Sequence, residues 1–286
     1  MTVDLSTKAM LVNLSISVWS ARRYDKKVTG EVAQNYHTSE RAGRYNKSLL
    51  PIDAPSYKAV IQAANSARTE HYKQTLPWSD EGSRILPSLN YLEYTASIRQ
   101  LRSTFDRAVD EFVDDYPTLQ SQAQTALNGL YDAKDYPIAS AIESYFNFST
   151  KVLPFPDSED FRVDITADDV ELIRQQITDD VQASVSSAMA DLYRRLYDHV
   201  SKMASKLTEQ DPIFRDSLVQ NLTDLCAIVP RLNLTSDPAL ETLRQRVETE
   251  LTSFEPETLR TSAKLRTHVA KQAEQIQKDL SAFMVR

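Results

Sequence analysis

Cations and amphipathic rings alternate through the first 80 residues. The order runs Trp19, Arg22, Arg23, Tyr24, Lys26, Lys27, then Tyr36, His37, Arg41, Arg44, Tyr45, Lys47, then Arg68, His71, Tyr72, Lys73, Trp78. Both tryptophans lie here, and no phenylalanine appears before Phe105. A plain phenyl ring suits a dry core, whereas Tyr and Trp carry a polar edge and favour half-wet places. Phosphates need cations, and an unstacked base needs a flat ring to replace lost stacking; each base–aromatic stack is worth about 1–3 kcal/mol whatever the base. The residues expected on phosphates are Arg22, Arg23, Lys26, Lys27, Arg41, Arg44, Lys47 and Lys73. The rings expected on bases are drawn from Trp19, Tyr24, Tyr45, Tyr72 and Trp78, some of which will be core. Duplex recognition would show a helix dense in Arg, Asn and Gln. No such helix is visible, so the pattern fits single strands better. The same residues also read as a solvated basic face with Tyr and Trp filling a core, and both readings stay open.

Charge distribution sharpens the first reading. The chain of 286 residues has a net charge of −7, which by itself disfavours a general nucleic-acid coat. Residues 1–80 carry 11 Lys/Arg against 7 Asp/Glu, and residues 81–286 carry 22 against 33. A basic segment on an acidic body suggests a polyanion on one side only.

Other chemistries find little support. There is no GxxxxGK[ST], GxGxxG or GxSxG, so ATPase, dinucleotide-binding and α/β-hydrolase readings have no footing. Cys226 stands alone among Leu222, Leu225, Ile228 and Val229 and reads as a buried thiol; no disulfide framework or multi-cysteine metal site is possible. His37, His71, His199 and His268 show no paired ligand spacing. Arg194 and His199 are spaced like the Arg-x4-His pair of HEPN ribonucleases, but a helix-surface cation cluster salt-bridged to Asp191 or Asp198 explains them better. The acidic run from Asp157 to Asp160 reads as a solvated turn. No apolar run of 18 residues exists, so no transmembrane helix is expected, and the polar N-terminus does not read as a secretory signal. The expectation is a non-enzymatic protein without metal or cofactor.

The elements that must position the basic residues follow from periodicity. Alternation over 10–20 predicts a half-buried strand. Short helices are expected over 25–36 and 38–49, the second capped by Thr38 or Ser39, and a helix over 55–75 begins near Pro55. Further helices are expected from Ser88 to about Asp115, cut by Pro117, then over 118–131 and 138–146. Phe146, Phe148, Val152, Phe161, Val163 and Ile165 suggest a hairpin over 146–165 that pairs with the N-terminal strand. Residues 167–209 form the clearest element, capped by Thr166, with an eleven-residue step from Val170 through Val181 and Leu192 to Met203. Helices over 212–229, 236–253 and 256–284 complete the chain. The fold class is mainly α (α+β): a helical bundle around a spine of about 42 residues, with a small antiparallel sheet. The expected organisation is a basic, aromatic-rich module over 1–85 and a helical body over 86–286.

ISVWSARRYDKKVTGEVA, HYKQTLPWSDEGSRILP, DFRVDI and IFRDSLVQNL, in this order, resemble a family of phage-encoded helical proteins. The chain is also similar in character to the single-stranded-DNA-binding RNA polymerase cofactor of N4-like phages, a helical protein unlike the OB-fold binders. The resemblance implies a phage protein of the host cytoplasm that binds single-stranded DNA in support of transcription or replication. Its implied protein partner is a phage RNA polymerase or replication protein, and long exposed helices suggest a homo-oligomer. The alternative is a helical protein–protein adaptor or assembly factor whose working surface is the spine and the two C-terminal helices.

Overall fold

Leu14 and Ile16 are half-buried while Ser15 and Ser17 are exposed, and this alternation makes the first strand. The computed structural model describes residues 5–78, 82–160, 166–209 and 214–284. Along the chain come β1 (Ala9–Ser17), β2 (Arg22–Tyr24), α1 (Lys26–Asn35), β3 (Asn46–Ser48), α2 (Pro55–Gln74), β4 (Leu76–Pro77), β5 (Arg84–Pro87), α3 (Tyr91–Leu127) and β6 (Asn147–Pro154). Then follow α4 (Ala167–Thr208), α5 (Ser217–Leu232), α6 (Pro238–Glu250), α7 (Pro256–Thr261) and α8 (Ala263–Ser281). The protein is mainly α with a small sheet of order β4-β5-β1-β6, in which β5 runs antiparallel to both β1 and β4. A separate antiparallel ribbon joins β2 to β3.

Several expectations need correction. Residues 38–49 are not a helix: Ser39 holds a turn, its hydroxyl accepting from the Arg41 N–H, and the chain then enters β3. The segment has no apolar face to bury, and Gly43 weakens a helix further. Pro117 does not cut α3, which runs on to Leu127. Phe112, Tyr116, Leu119 and Ala123 are all buried on either side of it, and that packing outweighs the roughly 3 kcal/mol a mid-helix proline costs. Only a single 3₁₀ turn, Ile142–Tyr145, forms within 138–146. The first strand of the expected hairpin is β6, next to β1; the second, over 161–165, lies outside the described residues, as does the expected start of a helix at Pro212. The helix expected over 256–284 is two, because Ser262 turns extended and caps α8 by accepting from the Leu265 N–H.

The chain forms two compact, discontinuous units. The first comprises residues 1–13, 71–95 and 151–286. Its core is the C-terminal half of α4, where Leu192, Leu196, Val200 and Met203 are fully buried, together with α5, α6 and α8. Tyr193 stacks on Phe283 and the Tyr197 hydroxyl accepts from the Gln277 amide, so α8 runs antiparallel to α4. The spine is thus 42 residues long as expected, but its N-terminal 18 residues contain none that is buried. Cys226 is buried as expected, and burial pushes its thiol up to about 12.

His71 is buried in the same unit, where Nδ1 shares a 2.9 Å hydrogen bond with the Tyr94 hydroxyl. Burial, and then the Arg84 charge, pull its pKa down to about 4 from 6.5. The unfolded chain therefore binds a proton on this ring before the folded one does. Stability from this group is full above pH 6.5 and declines as pH falls towards 4, by on the order of 2–3 kcal/mol. Urea titrations between pH 7 and 4.5 should show this loss in the wild type and a flatter profile in His71→Gln; parallel profiles would refute it.

The second unit comprises residues 14–70 and 96–150. Its core is aromatic. Phe112 and Tyr116 of α3 meet Trp19 at ring-centroid distances of 6.3 and 5.8 Å, and the Tyr57 hydroxyl donates to the Trp19 carbonyl at 2.6 Å.

Candidate functional site

The basic stretch is built around the β2–β3 ribbon, entirely within the second unit. Ala21, buried and at φ 50°, turns the chain into β2. Its carbonyl accepts from the Leu49 N–H at 2.8 Å, closing the ribbon's end. A non-glycine residue in this region is strained, so the turn is held by its surroundings. In the ribbon Arg22 faces Ser48, Arg23 faces Lys47 and Tyr24 faces Asn46. Asp25 then caps α1, accepting from the Val28 N–H at 3.0 Å. Thr29 ties the two sides together: its hydroxyl donates to the Asp25 carbonyl and accepts from the Tyr45 N–H.

Two expected contact residues are buried. Trp19 is 7% exposed and its ring is enclosed by Tyr57, Phe112 and Tyr116. Trp19 lies two positions beyond the end of β1, where the strand's alternation no longer sets its environment. Lys47 is 6% exposed. Its ammonium lies 2.7 Å from Asp135 and 3.4 Å from Asp25 and donates to the Leu130 carbonyl at 2.8 Å. Burial alone would lower the Lys47 pKa, but the two carboxylates outweigh it and the pKa is raised. The Asp25 carboxyl is held below its ordinary value, chiefly by the Val28 N–H, with Lys47 adding to the effect. Lys47 is therefore a buried brace whose ammonium is already paired.

The other candidate contact residues between Arg22 and Tyr45 are exposed. Between Arg22 and Lys47 the chain carries seven Lys/Arg against three Asp/Glu. Arg22, Lys26, Arg41 and Arg44 make no ion pair with any described residue, and Lys27 has only an exposed 3.9 Å contact with Glu31. Arg23 is partly committed, 3.3 Å from Asp135. Tyr24 and Tyr45 are exposed, and the Arg44 guanidinium sits 5.8 Å from the Tyr24 ring centre. Exposed Tyr36 lies at the end of α1. Tyr72 and Lys73 belong to the other unit and are occupied there: Arg84 lies over the Tyr72 ring at 4.6 Å, and Lys73 approaches Asp224 at 3.5 Å. Trp78, also in that unit, packs on Phe155.

An open cleft of about 460 Å³ adjoins β2 and is lined by Trp19, Arg22, Arg23, Lys134, Tyr136 and Tyr145 among others. Sequence reading missed Lys134, Tyr136 and Tyr145, since only the return of the chain after α3 brings them beside Arg22. The weaker candidates stay weak. Arg195 donates to the Lys73 and Thr75 carbonyls and pairs with Asp191, and His199 Nδ1 bonds to the Arg195 carbonyl within its own helix. Among the described residues no cluster of three or more His, Cys, Asp or Glu could hold a metal ion, and no helix is long and apolar enough to cross a membrane. Comparison with protein-family models, curated proteins and solved structures gives no match to this chain.

Proposed function

We propose that the protein binds single-stranded DNA, without catalysis, through the face formed by β2, α1 and the loop leading to β3. The observation that carries this reading is the group of uncompensated cations, Arg22, Lys26, Arg41 and Arg44, set among the exposed rings of Tyr24 and Tyr45. Cations spaced along a ribbon and a helix start suit a flexible phosphate chain, and rings among them suit unstacked bases. The resemblance of ISVWSARRYDKKVTGEVA to a phage-encoded family points the same way, towards a role in phage transcription or replication in the host cytoplasm. On this reading the acidic remainder of the chain keeps nucleic acid to one face and is available to a phage polymerase or replication protein. The half-buried stripe of Val170, Ile173 and Ile177 in the N-terminal part of α4, where no residue is buried, favours, as a second reading, a helical adaptor that engages another protein or a second copy.

Fluorescence anisotropy separates the two readings. A labelled single-stranded oligonucleotide should bind at low salt more tightly than a duplex of the same sequence. If the four free cations each neutralise one phosphate, log affinity against log salt should fall with a slope near −3, at roughly −0.7 per phosphate. RNA in parallel decides whether the sugar matters. A flat salt response, or no binding at micromolar protein, would overturn the proposal and leave the adaptor reading in front.

A further inference from the structure

A face of exposed cations attracts one strand or two alike, because both offer phosphates. Discrimination needs a place where only an unpaired base can go. The cleft beside β2 has the parts for this. Its volume of about 460 Å³ falls within the roughly 300–1,000 Å³ typical of small-ligand sites. Its carboxylate, Asp135, is already taken by Lys47 and Arg23. That leaves Arg22 and Lys134 as cations with no ion pair to any described residue. Tyr145 on the rim is 48% exposed, a ring with area to offer. Tyr136 is 6% exposed and its hydroxyl has no hydrogen-bond partner. Its ring forms a wall of the cleft. The strained Ala21 turn sits between Trp19 and Arg22, two of the lining residues, and backbone strain of this kind gathers where ligands are held.

We infer that this cleft takes one unpaired nucleotide, its base against the Tyr145 ring and its phosphate between Arg22 and Lys134. The inference rests on the nucleic-acid reading for the nucleotide's source, a strand lying along β2. A free mononucleotide offers the same chemistry, and the test separates the two.

The full-length chain, Tyr145→Ala and Lys134→Gln are each titrated with single-stranded oligothymidylate, with duplex and with thymidine 5′-monophosphate. Loss of one stack should weaken single-strand affinity about five- to tenfold in Tyr145→Ala, leave duplex affinity unchanged and leave the salt slope unchanged. Lys134→Gln should weaken the single strand and reduce the slope by about 0.7. Both positions are exposed, and unchanged melting temperatures verify that the variants fold. If the wild type binds the strand and both variants match it, the cleft inference is overturned while the nucleic-acid reading stands. If the wild type binds no oligonucleotide but binds the mononucleotide saturably, and Tyr145→Ala abolishes this, the cleft holds free nucleotides and the strand-binding reading falls. If neither ligand binds, both fall.

Discussion

Replacing Arg22 and Arg44 together by Glu should lower affinity for a single-stranded oligonucleotide on the order of 30- to 100-fold at low salt, while the melting temperature barely moves. Both guanidiniums are exposed and neither makes an ion pair with a described residue, so the fold draws little from their charge. Against a phosphate chain the change is large, because two attractions become two repulsions in a stretch whose excess charge is only four. Two fewer neutralised phosphates should also flatten the salt dependence by about 1.4 in the slope. The slope is the sharper readout, since a merely less stable protein would lose affinity without changing it. Equal binding by variant and wild type at both salt concentrations would remove this face from consideration.

The second large effect is on stability and concerns the neighbouring cation in sequence. Lys47→Ala should destabilise the second unit by about 3–5 kcal/mol, because it leaves Asp25 and Asp135 as partly buried carboxylates without their shared counter-charge. On a unit of this size that is a fall of roughly 10 °C or more in melting temperature. Arg23 would still reach Asp135, which keeps the loss towards the lower end. Adding Asp135→Asn to Lys47→Ala should recover part of the loss, since one of the two orphaned charges is then removed. Thermal unfolding followed by far-UV circular dichroism measures both. A single variant as stable as the wild type would show that Lys47 is not the brace described. Any drop in DNA affinity in Lys47→Ala should track unfolding and vanish at temperatures where the variant is folded, unlike the drop in the Arg22/Arg44 variant.

These two experiments separate residues that look alike in the sequence. Arg44 and Lys47 are three positions apart in the same basic stretch, and nothing in composition or spacing tells a free cation from a buried one. The difference comes from Asp135, 88 positions after Lys47, which the fold returns beneath the ribbon. Trp19 shows the same limit. The sequence left it open whether this ring stacks on a base or lies in the core, and the fold sets it against Phe112 and Tyr116.

What the sequence determined by itself was local. Capping and eleven-residue periodicity set the limits of α4, with Thr166 accepting from the Asp169 N–H at its start. Proline near the first turn set the start of α2, alternation set β1, and the sparse glycine and strong helical spacing set a mainly α fold with a small sheet. Charge asymmetry marked the segment that carries the exposed cations. These signals are readable because a helix or strand repeats its environment every few residues. Tertiary structure alone decided which cations stay free, which rings are core, that α3 passes through Pro117, and that Lys134, Tyr136 and Tyr145 stand beside Arg22. Those outcomes depend on burial and on charges brought together across many tens of residues, where a proline's local cost or a lysine's charge is outweighed by the packing and the partners it meets.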